Sequence, residues 1–386
     1  MSDTRVVRSV FILFLCCSRA VAQGTATSSA PAPLWHYGAF ADGAYLYDTN
    51  TPANHVYRFR STTAYVDEPV LDMVAGYVRK DATTDSRWGM EFTLQAGKDS
   101  EAFGLSATAP NLRGYRWLRH LGPTDVSYLA PVGKGLTIQA GIFSSLIGYE
   151  SLYAKDNLTY IRAWGADYTP YLMMGVNVSY PVTSKLTATG FVINSYDHLS
   201  NPNSVPSSGG QLAYKATDHT TLRETVLYGP QQADTALEFW RFFSDSIVER
   251  KTDRFTTAFE YQVGEERIAE PGSSRALWIA ALMPLRWSPH PRWSVSARPE
   301  VAWDRNGQWT GVPQTLIAVT ESFEYRIPYR FTNTILRLEH RFDISRGANA
   351  GFFYDGNQPG ATFPFLRPAH NLFVAAVIFT VEGSHK

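Results

Sequence analysis

Residues able to catalyse or to hold a metal are scattered along this sequence rather than grouped. Its nine histidines (His36, His55, His120, His198, His219, His290, His340, His370 and His385) include no pair at metal-ligand spacing. No G-x-S-x-G segment supplies a nucleophile elbow, and no glycine-rich loop supplies a phosphate cradle. GVNVSY and GGQLAY read as strand segments whose glycines ease close backbone approach. A spatially assembled Ser–His–Asp set stays open, but nothing selects one. The chain therefore reads as not an enzyme, with no catalytic residue, cofactor or metal. What does recur is charge at alternate positions. In RLEHR, Arg337, Glu339 and Arg341 fall on one side of an extended chain, and Arg298 and Glu300 repeat the pattern. That arrangement handles water and ions rather than covalent bonds.

The elements that position these charges are legible in the same period of two. In RWGMEFTLQAGKD, Trp88, Met90, Phe92, Leu94 and Ala96 alternate with Gly89, Glu91, Thr93, Gln95 and Gly97. In GKGLTIQAGIF, Leu136, Ile138, Ala140 and Ile142 alternate with Thr137, Gln139 and Gly141. Each is a strand with one apolar and one wet face. About sixteen such segments, each near the ten residues of a tilted membrane strand, fall at 37–47, 69–79, 88–98, 124–132, 135–143, 171–181, 186–196, 210–217, 220–229, 237–249, 254–264, 275–287, 292–304, 314–325, 331–343 and 371–381.

Composition and the N-terminal segment set the compartment. Arg5 and Arg8 precede the apolar run VFILFLCC, and Ala20-Val21-Ala22 then forms an A-x-A cleavage site: residues 1–22 read as an export signal. Cys16 and Cys17, the two cysteines of the chain, lie inside it, so the exported chain would carry neither disulfide nor thiolate ligand. Residues 23–35, which include GTATSSAPAP, read as a flexible linker, and 36–386 as one domain. Aromatic residues reach 14% and charged residues only 18%, yet no later run is long and apolar enough for a membrane helix. Formal net charge is zero, which gives no attraction to nucleic acid.

Links between the segments separate a soluble sandwich from a membrane barrel. Every second link is short (RKDATTDSR, VGKG, PVTSK, TDHT, ERKTD, SPHPR and RIPYR), whereas 48–68, 99–123, 144–170 and 344–370 are long. Outer-membrane barrels alternate short periplasmic turns with long extracellular loops. Aromatic residues also gather at segment ends, Tyr45, Tyr47, Tyr128, Tyr171, Tyr180, Tyr196, Tyr228, Trp278, Trp287 and Tyr325, as membrane girdles do. The expected fold is all-β: a transmembrane, antiparallel, up-and-down barrel of about sixteen strands (14–18). Its greasy face meets lipid and its polar face a water-filled lumen. HNLFVAAVIFTV departs by being apolar on both faces, which implies that a loop or the linker covers its inner side.

A barrel of this size can hold water. The polar faces nominate Glu91, Gln95, Gln139, Lys215, Arg241, Glu260, Gln262, Arg298, Glu300, Arg337, Glu339 and Arg341 as pore-lining, with Asp245 beside them. Similar numbers of each sign suggest a transverse field and weak overall ion preference; the competing reading is a set of structural salt bridges along the wall. Loop 144–170 exceeds what a hairpin needs and nominates Glu150, Lys155, Asp156 and Arg162 as constriction residues, if it folds inward.

The stretch 141–182 carries GIFSSLIGYES, then Asn157-x-x-Tyr160-x-Arg162, then Pro170 and Gly175, and GAFADGAYLYD stands near the N-terminus. On these motifs the chain resembles the bacterial β-barrel porin-2 (OmpL-like) family, and the resemblance implies an outer-membrane channel without contributing binding residues. Many such barrels end on an aromatic residue, whereas here Phe379 is followed by TVEGSHK. The function expected is passive diffusion of small hydrophilic solutes across the bacterial outer membrane after export to the periplasm. The expected partners are outer-membrane lipid, the barrel-assembly machinery and the solutes, with a homo-oligomer left open. The alternative is a non-conducting barrel (structural, adhesin or receptor) plugged by its own loops.

Overall fold

The computed structural model describes residues 34–104, 115–196, 198–200, 202–231, 239–268, 275–355 and 365–385. The segments read above as export signal and as most of the linker lie outside these residues, as do parts of loops 99–123 and 344–370. In chain order the strands are β1 (Trp35–Asp48), β2 (Pro69–Lys80), β3 (Trp88–Ala96), β4 (Leu121–Ala130), β5 (Leu136–Ser144), β6 (Leu172–Pro181), β7 (Leu186–Ile193), β8 (Ser207–Thr217), β9 (Thr220–Pro230) and β10 (Trp240–Lys251). They continue as β11 (Phe255–Glu266), β12 (Ala276–Leu282), β13 (Leu285–His290), β14 (Trp293–Asp304), β15 (Gln314–Tyr329), β16 (Thr332–Arg346), the short β17 (Phe352–Phe353) and β18 (Leu366–Arg367), and β19 (Ala369–His385).

Each strand from β1 to β16 pairs antiparallel with its sequence neighbour in one sheet, apart from β12 and β13. The sheet closes where β19 pairs with both β16 and β1, running from Trp35↔His385 to Asp48↔Leu372. β12 and β13 share both neighbours, β11 and β14, and act as one wall strand interrupted at Pro284. Proline has no N–H to give the ladder. Flanking bonds span the gap: Ala258 N donates to Pro284 O at 3.0 Å and Met283 N to Pro299 O at 3.1 Å. The result is a closed barrel of sixteen strands. Every segment read from the alternation is a strand here, and the wall begins at Trp35, the last residue assigned to the linker.

Side chains sort largely as lipid outside and polarity inside require, but Tyr171, Tyr196 and Trp278, read above as girdle residues, are buried inside, where loop side chains pack on them. Trp88, Met90, Phe92 and Leu94 of β3 are exposed on the outer face, while Thr93 and Gln95 between them are buried. On β19, Phe373, Val377 and Phe379 point outward, and Leu372, Val374, Ala376 and Ile378 are buried inside against Tyr57 and Trp164. Loops 49–68 and 145–171 thus cover the inner side of this doubly apolar strand. Closure is a physical demand, since an open edge in hydrocarbon would leave backbone groups unpaired at several kcal/mol each.

Candidate pore constriction

Loop 145–171 leaves β5 and crosses the lumen. Its first part is held by its own side chains: Asn157 accepts from Ser151 N and donates to Ser151 O, both at 2.8 Å, and short turns follow at Ala154–Asp156 and Gly165–Tyr168. An irregular backbone inside a barrel carries donors and acceptors that no ladder satisfies. The wall supplies them by charge. Carboxylates take the loop's N–H groups: Gly148 N donates to Asp245 at 2.7 Å, Tyr149 N to Glu260 at 3.2 Å, Ile161 N to Glu339 at 3.2 Å and Trp164 N to Glu300 at 2.5 Å. Guanidinium groups take its carbonyls: Arg337 donates to Ala154 O and Asn157 O, both at 2.8 Å, and Arg286 to Leu158 O at 2.8 Å. Hydrogen bonds to charged groups contribute roughly 1.5–3 kcal/mol each. Both signs are present on the wall because the loop needs both kinds of partner.

Between these anchors sits a buried interior. Trp164 donates its ring N–H to Asp343 at 2.8 Å and meets Tyr57 edge-on at 5.6 Å. Tyr57 donates its hydroxyl to Asp343 at 2.8 Å and accepts from Arg341 at 2.9 Å. Tyr160 donates to Asp72 at 2.6 Å and reaches Asp42 at 3.0 Å. Two buried ion pairs fasten the loop to its neighbours, Arg162 to Asp99 and Arg60 to Asp167, each at 2.8 Å. Burial pushes the Asp99 carboxyl above its ordinary value, and Arg162 opposes it. Burial does the same to Asp167, opposed by Arg60.

Of the residues nominated from sequence, the structure gathers Arg298, Glu300, Arg337, Glu339 and Arg341 beneath the loop with Glu150, which pairs with Arg298 at 2.5 Å. Arg241 is buried elsewhere, paired with Glu266 at 2.6 Å beneath the rings of Tyr196, Trp278 and Trp309. Gln262 bonds Glu260 at 2.5 Å, Gln95 holds the Tyr153 hydroxyl at 2.8 Å, and Gln139 bonds Asn177 at 2.9 Å. Lys215 stands apart at the short-turn rim with Asp218. Sequence reasoning missed Asp42, Asp72, Asp343, Tyr57 and Arg60. The two aspartates of β1 and β2 were recoverable, since each is a charge within an apolar strand.

The loop leaves one polar cavity of about 550 Å³ beside it. Pro123 and Ser144 line it at the long-loop end of the wall and His36 and Ser384 at the short-turn end, with Tyr153, Lys155 and Asp156 on the loop side. Glu91, Arg79 and Glu382 complete its charged lining. Among the described residues, no group of three or more His, Cys, Asp or Glu is placed to hold a metal ion.

A closed sixteen-strand wall, apolar outside and lined with charge inside, defines an outer-membrane β-barrel of the porin type. The chain belongs to the family described as Putative beta-barrel porin-2, OmpL-like, whose model matches residues 35–381. Its fold resembles the outer membrane channel DcaP of Acinetobacter baumannii (TM-score 0.56, 10% identity, 90% of this chain and 96% of that one). It also resembles the anion-selective porin of Comamonas acidovorans (TM-score 0.53, 10% identity, 90% and 99%) and in-vitro folded OmpT of Vibrio cholerae (TM-score 0.53, 9% identity, 90% and 96%). At such identities the likeness is one of fold. No curated protein matches the chain.

Proposed function

We propose that the protein is a narrow outer-membrane channel through which small hydrophilic solutes diffuse passively, entering and leaving by the cavity beside loop 145–171. The observation that carries this reading is the polar lining of that cavity, whose residues run from one end of the wall to the other. The wall residue Glu91 and the loop residues Lys155 and Asp156 would border the path, while Glu150 and Arg162 keep the loop in place. The rest of the proposal is export by a signal cleaved after residue 22, membrane insertion by the assembly machinery, and association of copies, as in the trimer form of Vibrio cholerae OmpT.

Deleting residues 150–165 tests it in planar bilayers. Loss of the anchored crossing should raise single-channel conductance several-fold, and unchanged conductance would reject the loop as the constriction. The filling of the lumen by loops 49–68 and 145–171 favours a second reading, a plugged barrel with a structural or receptor role. Steady conductance steps from the intact protein support the channel; silence supports the plug.

A further inference from the structure

We infer that conduction through this barrel favours cations over anions, and that Glu91, Asp156 and Glu382 set the preference. The inference rests on the channel reading above. Its starting point is which inner charges an ion can feel. Arg298 lies 2.5 Å from Glu150, Arg341 2.6 Å from Glu300 and 2.8 Å from Asp343, and Arg337 2.8 Å from Glu324. None of these side chains is more than 3% exposed. Seen from the water path, a closed pair of opposite charges is a short dipole. The formal charge of these pairs therefore largely cancels.

The cavity lining does not cancel. It carries Arg79 and Lys155 against Glu91, Asp156 and Glu382. Lys155 sits 2.8 Å from Asp156 and 3.9 Å from Glu382, so its charge is already answered within its own group. Arg79 stands opposite Glu91 in the ladder of β2 and β3 and is shared with Asp81 at 3.1 Å, a carboxylate outside the lining, which also holds His36 at 3.0 Å. Asp125 stands opposite Glu91 in the ladder of β3 and β4 and adds a further negative group behind it. Taken together, the path runs past an excess of negative charge. The wall behind this lining is a single sheet backed by lipid, and such a low-dielectric surround focuses the field of an unpaired charge along the water inside it. Salt screens charges more than about 8 Å from the path, so the lining decides the sign.

The test is the zero-current potential of single channels under a KCl gradient. Its expected sign is that of a cation-preferring pore, with potassium favoured over chloride roughly ten-fold, the ratio one uncompensated charge gives at about 6 Å in water by attracting one ion and repelling the other. Either single variant, Glu91→Gln or Glu382→Gln, should bring that ratio to about one, and Lys155→Gln should raise it. Asp156→Asn gives an independent carboxylate variant, and the heat-shifted gel mobility of each protein checks that its barrel has folded. Channels with no preference, an anionic preference, or a ratio indifferent to the glutamine substitutions would overturn the inference while leaving the channel intact. Absence of any conductance would instead overturn the channel reading itself.

Discussion

At the scale of single residues, the lumen is governed by the cost of leaving a buried charge alone. Arg162 and Asp99 show it most simply. The guanidinium is fully buried, the carboxylate nearly so, and they meet at 2.8 Å. Besides Arg162, Asp99 accepts from Thr63 N at 2.7 Å, so the pair joins loop 145–171 to both loop 49–68 and the end of β3. Burial already raises the Asp99 carboxyl above its usual value in the presence of Arg162. Replacing Arg162 with methionine keeps much of the volume and removes the charge. The variant should lose about 3–5 kcal/mol of loop docking, the usual cost of stranding one partner of a buried pair. Proteolysis after Tyr160 or Trp164 in the detergent-solubilised barrel reads this directly, and cleavage should become rapid. Adding Asp99→Asn should recover part of the protection, because no uncompensated charge then remains. Equal protection of Arg162→Met and the unaltered protein would show that the pair does not hold the loop.

At the scale of elements, the wall was legible and its contents were not. Alternation places Trp88, Met90, Phe92 and Leu94 on one face without knowledge of any partner strand, because period two is a local property. Alternating short and long links then orient the whole sheet. What Arg298, Glu300, Arg337, Glu339 and Arg341 face depends instead on where a loop some 140 to 180 residues earlier comes to rest. No local pattern encodes that. The doubly apolar β19 was the one sign of it, since Leu372 and Val374 need cover that a water-filled lumen cannot give. The rule that the outer face is apolar also has an exception the sequence pattern passed over. Glu224 of β9 points outward between Leu222 and Val226, and Ser244 and Ser246 of β10 donate to its carboxylate, Ser244 at 2.7 Å. A carboxylate on the lipid face costs on the order of 1–2 kcal/mol, less than a lysine or arginine there. Two serine hydroxyls reduce that cost without abolishing it. Glu224→Leu should therefore stabilise the barrel by about 1 kcal/mol, seen as a higher temperature for the heat-induced gel shift. A lower temperature would mean that this carboxylate is covered by something other than lipid.

The molecule as a whole depends on one seam. Sixteen strands become a barrel only because the last strand, β19, finds the first, and the pairing runs the full length of β1 from Trp35 to Asp48. The register there decides more than closure. With Ala44 opposite Ala376, both side chains face inward and lie within the core of loops 49–68 and 145–171. A slip of one residue would turn Leu372, Val374, Ala376 and Ile378 out to lipid and bring Phe373, Val377 and Phe379 into a space already filled by Tyr57 and Trp164. Directly opposed residues of an antiparallel pair have Cα atoms about 4.5–5.5 Å apart, inside the range a disulfide tolerates. The double variant Ala44→Cys with Ala376→Cys, made on the exported chain, should therefore oxidise to a single bridge once the barrel has folded. That bridge would join the chain near its two ends, so the boiled, unreduced protein should migrate as a compact band that reductant converts to the ordinary one. The staggered pair Ala44→Cys with Ala375→Cys should not bridge, because its second thiol faces lipid. Bridging by the staggered pair, or failure of the aligned pair in protein that still shows the heat shift, would place the seam in another register and dismantle the assignment of inner and outer faces for β19.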